Sequence, residues 1–284
     1  MDLGDLIRIL AFALVFAVMA LWEILAPRRA LAVGRRPRWV SNLAILAVDA
    51  LAVRILVPTA AVGAALFAAG RGWGLLQLAG LRLSVAALLG FLVLDLVIYA
   101  QHVVFHKVPV LWRLHRMHHA DLDVDVTTGG RFHPFEILIS LAVKIATVIA
   151  VGIPAVAVLL FEVVLNATSM FNHSNVAMPP WLDRLLRLVV VTPDMHRVHH
   201  SILRRETDSN FGFNLPWWDR VFGTYRAAPE AGHAGMTVGL PIFRNPRELR
   251  MDRLLTQPFR DDVAGAPSGD DRRRHRDDLR APKS

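Results

Sequence analysis

The chain of 284 residues contains no cysteine. Disulfide bonds and thiolate-bound metal sites are therefore excluded, and any metal ion must be held by nitrogen and oxygen ligands. The sequence also lacks a dinucleotide-binding, flavin or haem signature and has no internal repeat. The informative residues are the twelve histidines, because imidazole is a nitrogen ligand for metal ions. Most of these histidines are concentrated in a few short segments of the sequence.

Hydrophobic residues make up 54% of the chain, and its mean hydropathy is +0.40. A soluble domain of this length is rarely so apolar, so the composition predicts several membrane-spanning helices and one polar portion. The formal net charge is +8. In a membrane protein such a charge marks cytoplasmic loops and contacts with anionic headgroups. We therefore expect no nucleic-acid partner.

The apolar residues form four long runs. The first is interpreted as a retained helix, because a signal peptide would have a basic start and a shorter core. The second contains Asp49 and Arg54, which are costly in lipid unless they face protein or each other. The fourth is too long for one upright helix and predicts a hairpin bent at Gly152–Pro154. The runs cover residues 6–25, 42–69, 83–105 and 137–170.

Basic loops predict the orientation of these helices. Residues 28–38 and 107–131 carry most of the lysine and arginine, so both are expected on the cytoplasmic side. The hairpin then returns the chain to that same side. The predicted fold is an all-α, polytopic membrane bundle with a cytoplasmic, histidine-rich helical cap.

Eight histidines fall into three short clusters at or beyond the ends of these runs. On a helix, residues three and four positions apart share a face, so each cluster can direct two or three imidazoles at one point. Eight imidazoles exceed what one octahedral ion can bind, and the pattern therefore predicts two ions in one site. The clusters are His102 with His106, His115 with His118 and His119, and His196 with His199 and His200.

Two further histidines are candidate ligands. His173 directly follows the predicted hairpin and His133 directly precedes it. Both therefore return to the face that carries the clusters. The alternative for each is a structural histidine held by hydrogen bonds. We expect His173 to be a ligand, and both roles stay open for His133.

Three carboxylates are expected to support the ligands. Ligating histidines usually donate their second N–H group to a carboxylate or a carbonyl. Asp95 lies two helical turns before His102, whereas Glu136 and Asp194 lie near the other clusters. The alternative for Asp95 is a buried ion pair with Arg54, and the two roles are compatible.

These stretches resemble the fatty acid hydroxylase and sterol desaturase superfamily of membrane di-iron enzymes. The resemblance runs in consistent order from about residue 90 to 225. The short spacing within and after the first cluster resembles the hydroxylase and sterol branch more than the acyl-CoA desaturases. The matching segments are Asp95-x3-Tyr99-x2-His102-x3-His106, Leu111 to His119, His133-Pro134-x-Glu136, Asn172-His173, Asp194 to His200, Asn210-Phe211-Gly212 and Trp218 to Thr224.

The resemblance implies two non-haem irons that use O₂ and two electrons to hydroxylate or desaturate a membrane lipid. The eight clustered histidines and His173 carry over as ligands, and no other catalytic residue is implied. Electrons would come from a separate donor, such as a cytochrome, a ferredoxin or a pterin. The expected regions are N-terminal transmembrane helices (1–82), a catalytic domain (83–226) and a C-terminal polar extension (227–284) that is disordered from about residue 261.

Three alternatives stay open. The first is another outcome of the same chemistry, namely cleavage of the ether bond of an alkylglycerol. The second is a membrane metal-binding or transport protein without enzymatic activity. Transporters, however, place their ligands near the bilayer midplane, whereas these clusters lie at or beyond the ends of spans. The third is haem held by two histidines, which would leave most of the histidines without a role.

Overall fold

The computed structural model describes residues 3–261. Within this range the chain is helical without any β-strand, and five helical segments are long and apolar enough to cross a bilayer. The predicted all-α membrane bundle is confirmed, and the chain is an integral membrane protein. The disorder predicted from about residue 261 concerns the tail 262–284, which lies outside the described residues.

Fourteen α-helices follow one another in the described part of the chain, together with three 3₁₀ turns at Val126–Gly130, Pro246–Leu249 and Gln257–Phe259. The helices are α1 (Leu3–Leu25), α2 (Arg35–Leu56), α3 (Ala60–Arg71), α4 (Leu75–Leu78), α5 (Leu83–Lys107), α6 (Pro109–His119), α7 (Pro134–Val151), α8 (Ala155–His173), α9 (Pro180–Leu186), α10 (Pro193–His199), α11 (Arg204–Thr207), α12 (Trp217–Val221), α13 (Gly232–Gly235) and α14 (Met251–Thr256).

Proline and glycine set the breaks between the long helices. The second apolar run forms two helices rather than one, because Pro58 lies where α2 ends and cannot continue its hydrogen bonding. The hairpin of α7 and α8 turns at the predicted Gly152, whose φ is +74°. Gly74 lies against this turn, and a Cβ atom there would be 2.1 Å from the Gly152 nitrogen. Both positions therefore require glycine.

The main apolar core lies among α3, α5, α7 and α8. The buried side chains of this core include Leu94 of α5, Leu141 and Val148 of α7, and Phe161 of α8, which belong to one packed cluster. By contrast, Leu14 on α1 is 65% exposed, as expected for a side chain that faces lipid. The core thus fixes the hairpin against α5, which carries the first histidine pair.

The described part of the C-terminal extension, residues 227–261, packs back onto the histidine-bearing side. Leu254 of α14 is buried in a cluster with Ile45 of α2 and Met117 of α6. This contact covers the outer side of α6. The three-region division of the chain stays a prediction.

Candidate metal centre

The end of α5 carries the first pair of histidines. His102 and His106 lie one turn apart, and both are buried. The chain turns at Val108, and Pro109 begins α6, a position where the missing N–H group of proline costs nothing. This connection folds α6 against α5, so the second cluster faces the first. That cluster consists of His115, His118 and His119, all buried.

The other histidines come from α8 and α10. His173 is the last residue of α8. Helix α10 begins with Pro193, and the hydroxyl of Thr192 before it accepts a hydrogen bond from the Met195 N–H group at 3.4 Å. This cap fixes the start of α10, which carries the third cluster. Its members are the buried residues His196, His199 and His200.

Nine buried histidines meet in two groups, and within each group the candidate ligand nitrogens lie within 4.8 Å of one another. All nine that the sequence favoured as ligands are brought together here. The groups are neighbours, since the ring centroids of His119 and His200 are 4.6 Å apart. Group A consists of His102, His106, His115, His119 and His199, and group B consists of His118, His173, His196 and His200.

Distances between ring nitrogens fit ligands around an ion. In group A, the Nε2 atom of His115 lies 3.0 Å from that of His102 and 3.2 Å from that of His119. In group B, the Nε2 atom of His173 lies 3.1 Å from those of His118 and His196. An ion bound to nitrogen at about 2.1 Å places two ligands at right angles about 3.0 Å apart. The observed spacings therefore suit octahedral coordination.

Several ring nitrogens of the two groups have no hydrogen-bond partner among residues 3–261. They are buried, although burying an unpaired polar atom is costly. A metal ion would remove this cost by accepting their lone pairs. The atoms concerned are Nε2 of His106, Nδ1 of His196, Nε2 of His199 and both ring nitrogens of His200. The residues present therefore fit a metal centre.

Burial keeps these imidazoles in the state that binds metals. It lowers the pKa of His115 to about 3, and it lowers the pKa of His199 and His200 well below the usual value for histidine. Neighbouring imidazoles lower the pKa of His199 and His200 further. At neutral pH the rings are therefore uncharged, and each offers a lone pair.

Most of the rings are also oriented through Nδ1. This nitrogen faces a fixed acceptor, so Nδ1 carries the proton and Nε2 is left for an ion. The carboxylate of Glu136 lies 2.6 Å from Nδ1 of His115. Backbone carbonyls serve the others: Phe211 for His102 at 2.7 Å, Ser209 for His199 at 2.7 Å, Ser169 for His173 at 2.7 Å and Arg131 for His118 at 3.2 Å.

The three predicted carboxylates have different positions. Glu136 contacts a histidine, as described above. Asp95 accepts a hydrogen bond from the Trp218 indole at 2.8 Å, and Arg54 lies near Asp5 instead, at 3.9 Å. Asp194 lies 3.1 Å from Arg28 and also contacts Arg197. Asp95 and Asp194 thus hold the segments around the centre together.

His133 lies outside both groups. Its Nδ1 atom accepts a hydrogen bond from the Phe135 N–H group at 3.2 Å and so caps the start of α7. Its Nε2 atom lies 3.2 Å from the Leu255 carbonyl. Both ring nitrogens are therefore engaged in holding the fold, which corresponds to the structural alternative.

A buried network around Arg38 was not anticipated from the sequence. Its guanidinium donates to both oxygens of Asp121, at 2.7 and 2.8 Å, and also contacts Asp125. Arg38 and Arg131 lower the pKa of Asp121, which therefore stays ionised. The signal in the sequence was the alternation Asp121-x-Asp123-x-Asp125 directly after the second histidine cluster. This network fixes the segment that follows α6.

Asp219 also supports the centre, a role that the sequence did not reveal. Its carboxylate accepts hydrogen bonds from the N–H groups of Phe211 and Gly212, at 2.8 and 2.9 Å. The carbonyl of that same Phe211 faces Nδ1 of His102. Asp219 therefore positions the acceptor that orients one of the histidines of group A.

A cavity of about 880 Å³ opens beside group A. It runs between α1, α2, α5, α7 and α8, and its walls are mostly apolar. In one region of the cavity, His102 and His115 form part of the wall. A second region carries Arg8, Lys144 and Glu162, which form an ion-paired set. The cavity is large enough for part of a lipid.

Comparison with known proteins finds similarity to hydroxylases and monooxygenases. Residues 87–224 match the family model described as fatty acid hydroxylase. Ornithine lipid hydroxylase OlsE of Rhizobium tropici is 32% identical over 50% of this chain and 42% of its own length. Human alkylglycerol monooxygenase is 31% identical over 58% of this chain and 36% of its own length. Rat cholesterol 25-hydroxylase is 28% identical over 51% of this chain and 48% of its own length.

The chain thus spans less than half the length of each of these three relatives. No solved structure matches the chain significantly. The matched segment begins on α5, ends just after α12 and contains both histidine groups. The histidine-bearing part of this chain, residues 87–224, is therefore a domain of the fatty acid hydroxylase family.

Proposed function

We propose that the chain is a membrane-bound di-iron oxidoreductase that uses O₂ to hydroxylate or desaturate a lipid. The observation that carries this proposal is the position of group A. Its histidines His102 and His115 form part of the wall of an apolar cavity between membrane helices. A lipid chain in that cavity would bring a C–H bond close to the proposed metal centre.

The proposed cofactor is two iron ions, one in each group. Group A would use its five histidines and group B its four, and His133 is left out of the set. Family membership favours iron over zinc. When bound, the irons would supply the activation of O₂ that side chains alone cannot provide.

The protein itself positions the imidazole rings and excludes water from the cavity. Glu136 and the four backbone carbonyls engage Nδ1 of the imidazole rings and leave Nε2 free to bind the irons, should they be present. The apolar walls, with Ile98, Phe105 and Phe213 near the histidines, leave little room for water around a bound lipid. Together these features favour reaction with a C–H bond over loss of oxidising equivalents to solvent.

Two parts of the proposal concern the surroundings of the centre. The arginine-rich loops favour a cytoplasmic position for the histidine-bearing side. Electrons would reach it from a separate cytochrome, ferredoxin or pterin, because the sequence has no flavin or haem signature. The partners would thus be a membrane lipid, O₂ and this donor.

The test combines metal analysis with lipid analysis. We expect about two irons per chain in the purified protein, since each group supplies enough imidazoles for an open site. Cells that express the chain under oxygen-18 gas should gain a modified lipid, which cells expressing His199→Ala should lack. An unchanged lipid profile with a fully iron-loaded protein would contradict the enzymatic function and favour a metal-binding role.

The label in the product separates hydroxylation from its alternatives. Hydroxylation retains one oxygen atom from O₂ in the lipid, whereas desaturation removes two hydrogens and retains none. An alkylglycerol-type ether monooxygenase would release a fatty aldehyde. This third outcome has specific support, because the human relative of that name matches 58% of the chain.

A further inference from the structure

Two carboxyl groups line the cavity beside group A and have unused oxygen atoms. Asp49 of α2 is 4% exposed, and neither of its oxygens has a hydrogen-bond partner among the described residues. Glu136 is 5% exposed, and it uses Oε1 for His115 while Oε2 has no partner within residues 3–261. Both side chains are more than nine-tenths buried in a mainly apolar space.

Gln101 adds a third acceptor to this wall. Its Nε2 atom donates to the Ser140 hydroxyl at 2.9 Å. This contact turns Oε1 away from Ser140, and Oε1 is buried without a partner in the described structure. Gln101, Asp49 and Glu136 all belong to the cavity wall that also contains His102 and His115. The wall beside group A therefore offers acceptors that lack donors.

The position of Asp49 makes this arrangement costly. It lies in the middle of a membrane-spanning helix, where an ionisable side chain is unfavourable unless it has a partner. The sequence suggested Arg54 as that partner, but Arg54 is 67% exposed and lies beside Asp5. The cations Arg8 and Lys144, which also line the cavity, are engaged by Glu162. A donor for Asp49 must therefore come from whatever occupies the cavity.

We propose that the lipid in this cavity carries a hydrogen-bond donor, an ammonium or a hydroxyl group, which binds to Asp49, Glu136 and Gln101 beside group A. This inference rests on the proposed function and specifies its substrate class. A purely apolar chain would leave the acceptors unpaired and would bind less well. An ammonium group has three N–H donors and could serve all three acceptors, whereas a hydroxyl group has one O–H donor and could serve one of them.

Binding of three matched probes tests the proposal. The full chain, purified in detergent, is titrated with hexadecylamine, hexadecanol and hexadecyl methyl ether, and complexes are quantified by native mass spectrometry. The ether has the same apolar chain but no donor. We expect the amine, the alcohol or both to bind at least tenfold more tightly than the ether. Equal binding of all three probes would overturn the proposal.

Variants of Asp49 test which kind of hydrogen-bond donor, an ammonium or a hydroxyl group, this residue binds. Asp49→Asn keeps an acceptor oxygen but cannot ionise, so it should weaken a preference for the amine and retain one for the alcohol. Asp49→Leu should abolish both preferences. Gln101→Leu should weaken them and serves as a second probe if Asp49→Leu does not fold. The matched control is Asp252→Asn, which changes the same charge on an exposed turn of α14.

The binding measurement is independent of turnover. It is carried out on metal-loaded and metal-free protein, so a missing product would count against the oxygenase function alone. Probe preferences that survive in Asp49→Leu would overturn the donor site while leaving that function intact. Preferences lost in Asp49→Leu and kept in Asp252→Asn support the site.

Discussion

Arg38 and Asp121 form a fully buried, bidentate ion pair between α2 and the segment that follows the second histidine cluster. The pair joins parts of the chain that are 83 residues apart. Asp121 lies two residues after His119, so its position limits where α6 can end. Arg38 therefore links the N-terminal membrane helices to the metal centre, although it contacts none of the histidines of groups A and B.

Arg38→Gln should destabilise the protein by about 3–5 kcal/mol, because it leaves the buried Asp121 carboxylate without its main cation. The check is a lowered unfolding midpoint in detergent. Arg36→Gln is the matched control, since Arg36 lies on the same turn of α2 but is exposed. We expect that control to change stability by less than about 0.5 kcal/mol. Equal effects of both variants would argue against the proposed link.

The sequence was sufficient to predict the histidine centre because helical spacing is a local property. Residues four apart on α5 share a face whatever the rest of the chain does, and this holds for His102 and His106. The long apolar runs likewise predicted membrane helices from length alone. The turn at Gly152 was predictable because few other residues adopt its backbone conformation.

The division of the histidines into two groups was not predictable in the same way. His118 and His119 are neighbours in the chain, but successive residues on a helix point about 100° apart, and the two belong to different groups. His199 and His200 are separated likewise. Which ring joins which group depends on how α5, α6, α8 and α10 pack, and that is a long-range property. The Arg38 network depends on such packing as well.

Single ligand removals should distinguish the two groups. We expect His196→Ala, which leaves three imidazoles in group B, to lower the iron content from about two ions per chain towards one, and His106→Ala, which leaves four in group A, to lower it less. His133→Ala should retain both ions, because His133 lies outside both groups and holds the fold through Phe135 and Leu255. Metal analysis of the purified variants is the measurement. Loss of iron from His133→Ala would add that residue to the ligand set.

Glu136 should tune metal binding through His115. Glu136→Leu removes the acceptor of the Nδ1 proton, and we expect iron affinity to fall roughly ten- to hundredfold. Glu136→Gln keeps an oxygen acceptor and should have a smaller effect. Competition with a chelator gives the affinities, and Glu230→Gln, an exposed change on the polar side, is the control. An order in which the Gln variant loses more than the Leu variant would contradict this role.

Glu162 on α8 connects two cations inside the membrane region. Its carboxylate lies 2.9 Å from Arg8 of α1 and 3.2 Å from Lys144 of α7. Glu162→Leu removes the carboxylate that pairs with both cations, and it should cost about 3 kcal/mol of stability. Lys144→Met should cost less, because Glu162 keeps Arg8 as a partner.

The double variant decides whether charge compensation is the cause. Adding Lys144→Met to Glu162→Leu removes one of the two cations that lost Glu162 as a partner, so stability should recover in part relative to Glu162→Leu alone. The unfolding midpoints of the two single variants and the double variant in detergent give the coupling energy of the pair. Strictly additive losses would mean that Glu162 acts through packing rather than through its charge, and the ion-paired set would then have no stabilising role.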